Sequence, residues 1–231
     1  MAGTETRIRS EAGEFMAYVA SPAGNASAAI VVIQEIFGVN AVMRGVCDRL
    51  AAQGYLALCP DLFWRIEPGV QLTDKTEAEW AKAFELYKAF DVDAGVKDIE
   101  AAIQHARSQL GAAKVGAVGY CLGGLLAYLT ACRTDADASV GYYGVGLEQR
   151  LEEADKLTRP LLLHIAGKDK FVPPAAQAAI QAGLKNHPMV SLHLYAEQDH
   201  AFARQGGEHY DAAAAKLAND RTAAFFGEHL Q

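Results

Sequence analysis

A cysteine stands between two glycines at the end of a short apolar run, in the pattern Gly119-x-Cys121-x-Gly123. The apolar residues 115–118 predict a strand, and the segment from Leu122 onward predicts a helix. A strand-to-helix turn this tight forces the central residue toward positive φ, so its neighbours two positions away must be very small. A helix N-terminus also stabilises a thiolate. The pattern predicts a cysteine nucleophile, with a buried structural cysteine in a glycine-rich turn as the alternative.

A nucleophile of this kind needs a base, and the base needs an acid to orient it. Asp169 follows the apolar run 161–165, and His200 follows the run 190–195. The carboxyl ends of parallel strands meet at one edge of a sheet, where α/β proteins place their ligands. The chain order nucleophile, acid, base therefore predicts a catalytic triad. Asp199 is the rival acid, but a carboxylate rarely reaches the Nδ1 atom of an adjacent histidine.

Glu35 follows the apolar run 29–33, and its carboxylate is expected at the same sheet edge. Its alternative role is to cap the next helix, although Asn40 already suits that position. Loops at this place commonly supply a backbone donor to an oxyanion, which here is the N–H of Ile36. The other predicted donor is the N–H of Leu122, directly after the cysteine.

Short apolar runs alternate with amphipathic segments along most of the chain. The runs cover residues 29–33, 55–59, 115–118, 139–143, 161–165 and 190–195, and a strand or hairpin at 15–20 precedes them. Runs that are apolar throughout are typical of strands covered on both faces, as in a parallel sheet. The alternation predicts one α/β domain over residues 1–231, with a mostly parallel sheet and helices on both faces.

Capping signals mark the starts of the predicted helices. Asn40 suits the N-terminus of a helix that ends near Gln53, and Thr76 begins a capping box. The alanine-rich residues 211–229 predict a final helix. Residues 67–76 form the longest predicted irregular loop, which leads into an aromatic helix that could cover a site.

The composition excludes several classes of function. The chain has 21 basic and 28 acidic residues, a net charge of −7, and so no electrostatic footprint for nucleic acid or an anionic membrane. Its four cysteines form no C-x-x-C pair and no cluster with zinc spacing. No stretch approaches about 18 uninterrupted apolar residues, and residues 1–15 lack a signal peptide's apolar run. We therefore expect a cytoplasmic monomer without metal or cofactor.

Together these residues resemble the dienelactone hydrolase family (carboxymethylenebutenolidase-like), which has the α/β-hydrolase fold. The matching segments are QEIFGVN at 34–40, CPDL at 59–62, GYCLGG at 119–124, GYYGVG at 141–146, FVP at 171–173 and HAFAR at 200–204. The resemblance implies an enzyme that opens enol-lactones, with Cys121 as nucleophile, His200 as base and Asp169 as orienting acid. It also implies that Glu35 contacts the resting thiol and helps it to ionise when substrate binds.

The resemblance extends to the substrate pocket. Arg204 matches an arginine that holds the substrate carboxylate, a task suited to a guanidinium group. Phe37 and Tyr142 lie within matching segments and are predicted to contact the substrate. The predicted partner is a small lactone or ester molecule.

The chain departs from the family pattern at three predicted pocket positions. A second arginine and a tyrosine lie on the family's helix before residues 89–91, and here Trp80 and Phe84 hold those places. Ala201 holds the place of a small hydroxyl residue. The pocket is therefore predicted to be more apolar and less suited to a charged substrate.

Three hypotheses of function follow from these residues. The leading one is a cysteine-dependent hydrolase that opens enol-lactones through a thioester intermediate. The alternative is a broad carboxylesterase or thioesterase on apolar activated esters, favoured by Trp80 and Phe84. A third is a non-catalytic thiol or ligand sensor, against which the complete set of Cys121, Asp169 and His200 argues.

Overall fold

The computed structural model describes residues 3–231, and within this range the predicted apolar runs lie in strands except for Tyr55 and Tyr143, each one residue outside its strand. The strands are β1 (Thr4–Ser10), β2 (Gly13–Ala20), β3 (Ala28–Ile33), β4 (Leu56–Pro60), β5 (Lys114–Tyr120), β6 (Ala138–Tyr142), β7 (Leu161–Ala166) and β8 (Val190–Tyr195). The helices are α1 (Ala41–Ala52), α2 (Glu77–Ala89), α3 (Val92–Ser108), α4 (Leu122–Arg133), α5 (Pro174–Leu184) and α6 (Ala212–Leu230), and Leu147–Lys156 forms a 3₁₀ helix.

The strands form one sheet in the order β1-β2-β4-β3-β5-β6-β7-β8. β1 pairs with β2 and β2 with β4 in antiparallel fashion, while β3 and β4, β6 and β7, and β7 and β8 pair in parallel. The two antiparallel strands at the start correspond to the predicted N-terminal hairpin. The mostly parallel α/β architecture predicted from the sequence is confirmed.

The chain divides into two compact units, with the boundary between Gly116 and Ala117 inside β5. In the first unit, every residue of β3 is buried, and α3 buries an apolar stripe that includes Val96, Ile99 and Ile103. In the second unit, α4 is buried along almost its whole length, as expected for a helix that is apolar on all sides. The single domain over residues 1–231 stays a prediction.

The predicted helix starts are confirmed at their capping residues. Asn40 Oδ1 accepts the N–H of Met43 at 3.1 Å before α1, and Thr76 Oγ1 accepts the N–H of Glu79 at 3.2 Å before α2. These contacts satisfy N–H groups that have no partner within the helix. The final helix begins after Asp211, whose carboxylate caps it in the same way.

The irregular connection before α2 covers residues 61–76 and so begins earlier than predicted. Asp61 holds its first turns, because Oδ1 accepts the N–H of Phe63 at 3.0 Å and Oδ2 accepts the N–H of Gly69 at 2.7 Å. Burial raises the pKa of Asp61, and the two N–H donors oppose that shift. The connection 196–211 before α6 is equally long, so the prediction of a single longest loop was wrong.

A buried carboxylate joins this connection to α3. Asp98 is fully buried and receives two hydrogen bonds from the Arg65 guanidinium and one from Trp64 Nε1, the latter at 2.9 Å. A buried charge is tolerated only when it is paired and hydrogen-bonded in this way.

We expect Asp98→Ala to lower the free energy of unfolding by about 1–3 kcal/mol, because it leaves the Trp64 indole N–H and the Arg65 guanidinium without their acceptor. Glu14→Ala is the matched control: it breaks the exposed pair with Arg9, whose side chain is 84% exposed, and should cost less than about 1 kcal/mol. Urea denaturation of both variants measures the difference, and equal losses would contradict the argument.

Candidate active site

The backbone at Cys121 adopts a conformation that side chains rarely permit. Its φ is 57° and its ψ −115°, at the point where β5 ends and α4 begins. The Cys121 N–H donates to the carbonyl of Tyr142 at 3.1 Å, and its carbonyl accepts the N–H of Gly124 at 2.9 Å. Leu122 opens α4, so the helix itself does not use its N–H. The predicted strand–turn–helix context of the cysteine is confirmed.

Glycines make this turn possible because backbone meets backbone on both sides of it. A Cβ atom on Gly119 would lie 1.8 Å from the carbonyl oxygen of Gly123. A Cβ atom on Gly124 would lie 2.7 Å from the Cα atom of Gly144, in the loop after β6. The start of α4 therefore lies directly against the chain that follows β6.

The imidazole of His200 is held by a carboxylate from the neighbouring loop. His200 Nδ1 lies 2.8 Å from Asp169 Oδ2, and both side chains are buried. The other oxygen of Asp169 accepts the N–H of Phe171 at 2.8 Å, which fixes the carboxylate. Asp199 instead accepts the backbone N–H of His200 at 2.7 Å. The structure thus brings Asp169, and not the rival Asp199, to the imidazole ring.

His200 also forms a hydrogen bond with Cys121, so its ring lies between the thiol and the carboxylate. Burial disfavours the charged ring, but the electrostatic attraction of Cys121 and Asp169, with their hydrogen bonds, raises the pKa of His200 to about 10. Cys121 and His200 are thus joined by a hydrogen bond and by electrostatic attraction as a nucleophile and base pair. Such a pair can carry out nucleophilic and acid–base chemistry.

Aromatic rings shield His200 from water. Tyr143 lies edge-on to it at a centroid distance of 5.1 Å, and Phe171 at 4.8 Å. Tyr143 is buried and has a φ of 39°, whereas Phe171 is 45% exposed. Tyr143 was not among the site residues predicted from the sequence, because no sequence pattern reveals a positive φ at a residue other than glycine.

The structure places Tyr142, a predicted substrate contact, in the interior of the second unit. This ring is fully buried, and its hydroxyl donates to Asn219 Oδ1 at 3.1 Å and contacts Thr222 Oγ1 at 2.6 Å, both on α6. Successive side chains of a strand point to opposite faces of the sheet, and Tyr142 lies on the face that α6 covers. Tyr142 is therefore a core residue.

Two other predicted pocket residues lie in the turn after His200. Ala201 is buried and has a φ of 61°, a conformation that disfavours larger side chains. Arg204 is also buried, and its N–H donates to the carbonyl of Ala201 at 2.9 Å. The structure thus places both beside His200 in one tight turn.

In the first unit, the loop after β3 is buried and braced. Glu35, Ile36 and Phe37 are each at most 5% exposed. The side chain of Gln34 accepts the N–H of Leu62 at 3.0 Å, which ties this loop to the one after β4. The backbone around the predicted oxyanion donor Ile36 is therefore fixed.

The aromatic residues predicted to replace polar family residues form one cluster. Trp80 packs edge-on to Phe37 at 5.0 Å and stacks on Phe84 at 5.6 Å. Trp80 Nε1 donates to the carbonyl of Asp74 at 3.1 Å, which fixes the indole. Trp80 and Phe84 are half-buried and pack with the buried Phe37, so their two rings supply the apolar surface of this cluster in the first unit.

Within residues 3–231, no group of three or more histidine, cysteine, aspartate or glutamate side chains is arranged to hold a metal ion. In the same residues, no helix is both long enough and apolar enough to cross a membrane.

Comparison with solved structures identifies the class of protein. The chain matches a crystal structure from Klebsiella pneumoniae, provisionally named a dienelactone hydrolase, with a TM-score of 0.86 and 27% identity over 98% of both chains. The chain therefore has the α/β-hydrolase fold, and the class of protein is an enzyme that hydrolyses carboxylic esters.

Sequence comparison then identifies the family. The Dienelactone hydrolase family matches residues 15–230. An Azospirillum brasilense protein, provisionally named a carboxymethylenebutenolidase, is 54% identical over 94% of this chain and 95% of its own. The carboxymethylenebutenolidase of Pseudomonas putida is 47% identical over 91% and 90%. The chain belongs to the dienelactone hydrolase family, and the resemblance found in its sequence is confirmed.

We expect Gly119→Ala to destabilise the protein by more than about 3 kcal/mol, because its methyl group meets backbone that cannot move aside. Gly227→Ala on α6 is the matched control, since no atom lies within 4 Å of its Cβ position. It should stabilise the helix by about 0.5–1 kcal/mol. Denaturant unfolding measures both, and a Gly119→Ala variant as stable as wild type would refute the packing argument.

We expect Asp169→Asn to lower the pKa of His200 from about 10 toward the ordinary value of about 6.5, as seen by NMR titration of labelled histidine. The raised pKa stabilises the fold fully below about pH 6.5, and this contribution is lost as pH rises through about 10. The slope of stability over that window should shrink in Asp169→Asn. Asp199→Asn is the control, and an equal shift there would contradict the assignment.

Proposed function

We propose that the chain is a cysteine-dependent hydrolase that opens enol-lactones through a thioester intermediate. The observation that carries this proposal is the hydrogen bonding of His200 to both Cys121 and Asp169. The name of the Pseudomonas putida relative, carboxymethylenebutenolidase, supports a lactone as substrate. Cys121 is the proposed nucleophile, His200 the acid and base, and Asp169 the residue that orients His200.

In the first step, the Cys121 thiolate attacks the carbonyl carbon of the lactone and forms a C–S bond. The carbonyl oxygen takes the negative charge and accepts hydrogen bonds from the N–H groups of Leu122 and Ile36. The intermediate collapses, the ring C–O bond breaks, and the enolate leaves. The His200 imidazolium gives its proton to the leaving group, so the acyl chain remains on sulfur.

In the second step, neutral His200 takes a proton from a water molecule, which attacks the thioester carbonyl. The C–S bond breaks, the carboxylic acid product leaves and loses its proton to solvent, and the Cys121 thiolate and the His200 imidazolium are regenerated. Asp169 stays ionised and holds the ring for both proton transfers. One water molecule is consumed in each cycle.

The choice of sulfur as nucleophile favours an activated ester. A thiolate leaves a tetrahedral intermediate more readily than an alkoxide does, so attack on an ordinary alkyl ester tends to reverse. An enolate is a far better leaving group than an alkoxide, so collapse can proceed forward to the thioester. This chemistry supports enol-lactones over simple alkyl esters.

The roles of the remaining site residues are part of the proposal. Glu35 is proposed to contact the resting thiol and to assist its ionisation when substrate binds. Arg204 is proposed to hold the substrate carboxylate. We propose that the enzyme acts as a cytoplasmic monomer on a small molecule.

A second candidate function is a broad carboxylesterase for apolar activated esters. The observation that favours it is the aromatic cluster of Phe37, Trp80 and Phe84 in the first unit. Such a surface suits apolar acyl or aryl groups better than a charged substrate.

Steady-state kinetics of wild type and Cys121→Ala on a carboxylate-bearing enol-lactone and on p-nitrophenyl acetate test the proposal. We expect lactone turnover to fall by about 10³-fold or more in the variant, because it lacks the nucleophile. Cys132→Ala, a buried cysteine of α4, is the control and should retain turnover.

Wild-type turnover of every substrate by Cys121→Ala would refute the mechanism. Ester cleavage without lactone cleavage by the wild type would select the broad esterase. Mass spectrometry of the quenched wild type should detect the acyl group on Cys121.

A further inference from the structure

A chain of polar side chains is buried among β6, β7, β8 and α6 in the second unit. Its members, in order, are Arg221, Tyr195, His164, Thr222, Tyr142 and Asn219, joined by contacts of 3.1, 2.9, 3.0, 2.6 and 3.1 Å. Four of the six are buried, with His164 at 1% exposure in the middle. The mechanism proposed above uses none of these side chains.

The two ends of the chain fix the direction of every hydrogen bond in it. An arginine can only donate, so the Tyr195 hydroxyl accepts from Arg221 and keeps its own hydrogen available for His164 Nδ1. From the other end, Asn219 Oδ1 accepts from Tyr142, so Thr222 donates to Tyr142.

Thr222 must then accept from His164, which places the proton of the neutral ring on Nε2. A hydrogen bond from the Tyr195 hydroxyl to Nδ1 agrees with this tautomer. Burial, together with electrostatic repulsion from His193 and Arg221, lowers the pKa of His164 well below its ordinary value, so the ring stays neutral.

The backbone of the same residues holds the loops of the active site. The carbonyl of Tyr142 accepts the N–H of Cys121 at 3.1 Å. The carbonyl of His164 accepts the N–H of Tyr143, at 2.8 Å, and the Tyr143 ring lies against His200. Two of the chain's members thus contact the backbone on which the nucleophile and the ring beside the base depend.

Tyr195 makes the corresponding contacts at the end of β8. Its carbonyl accepts the N–H of Gly167 at 2.9 Å, two residues before Asp169. It also accepts the N–H of Gln198 at 3.1 Å, two residues before His200. The Tyr195 carbonyl group therefore accepts hydrogen bonds from both the loop of the orienting acid and the loop of the base.

We propose that His164 is a positioning residue for the hydrolytic reaction: it joins Tyr195 to Thr222 and so holds the ends of β6, β7 and β8 in the register that aligns Cys121, His200 and Asp169. This inference rests on the proposed function. His164 touches no reacting atom and acts only through its neighbours. An apolar residue in its place leaves the Tyr195 and Thr222 hydroxyls without their partner, and the strand ends can then shift.

The test compares His164→Leu with His164→Gln at a temperature well below the melting temperature of each variant. Glutamine can accept from Tyr195 and donate to Thr222 at the same time, whereas leucine can do neither. We expect kcat for the enol-lactone to fall about tenfold or more in His164→Leu with KM within about threefold, because misplacement slows chemistry more than binding. His164→Gln should recover most of that loss.

His193→Leu is the matched control, because this ring stacks on His164 at 6.0 Å but belongs to no bond of the chain. Its kcat should stay within about twofold of wild type. If His164→Leu does not fold, Thr222→Val removes one hydroxyl with little change of shape and should give the same loss of kcat.

A kcat in His164→Leu or Thr222→Val equal to that of His193→Leu would overturn the inference. So would a failure of His164→Gln to exceed His164→Leu. Full activity of Cys121→Ala in the same assay would instead refute the proposed function, so the two failures are distinguishable.

Discussion

Cys121 has a φ of 57° because it is the single residue between the end of β5 and the start of α4, where the backbone must turn sharply. Such a conformation costs about 1–3 kcal/mol and persists only where its surroundings enforce it. Here the enforcement comes from glycines packed backbone to backbone, at Gly119 and Gly123 and again at Gly124 and Gly144. The thiol is presented at the start of a helix as a consequence, and the base and its acid are placed relative to that point.

Burial gives this arrangement its chemical character. His200 and Asp169 lie away from water, where a charge is stable only beside an opposite charge. Its hydrogen bonds and electrostatic attraction to Cys121 and Asp169 therefore favour the protonated form of His200, and Tyr143 and Phe171 cover the ring. A surface site with the same three residues would be screened by solvent and would hold its charges less firmly.

The sequence predicted the fold class and the placement of Cys121, Asp169 and His200, because carboxyl ends of parallel strands meet at one edge and short apolar runs locate those ends. It did not separate Tyr142 from Tyr143, since the face that each side chain takes depends on where β6 stops. The role of His164 was equally hidden, because its partners lie on β8 and α6 and are brought together only by packing.

Both tryptophans of the chain, Trp64 and Trp80, lie in the first compact unit. Intrinsic tryptophan fluorescence therefore reports on that unit alone. Far-ultraviolet circular dichroism reports on the helices of both units, including α4, α5 and α6 of the second. Coincident transitions from the two signals indicate that both units unfold in one cooperative step. Separate transitions assign the earlier one to a particular half of the molecule without any engineered probe.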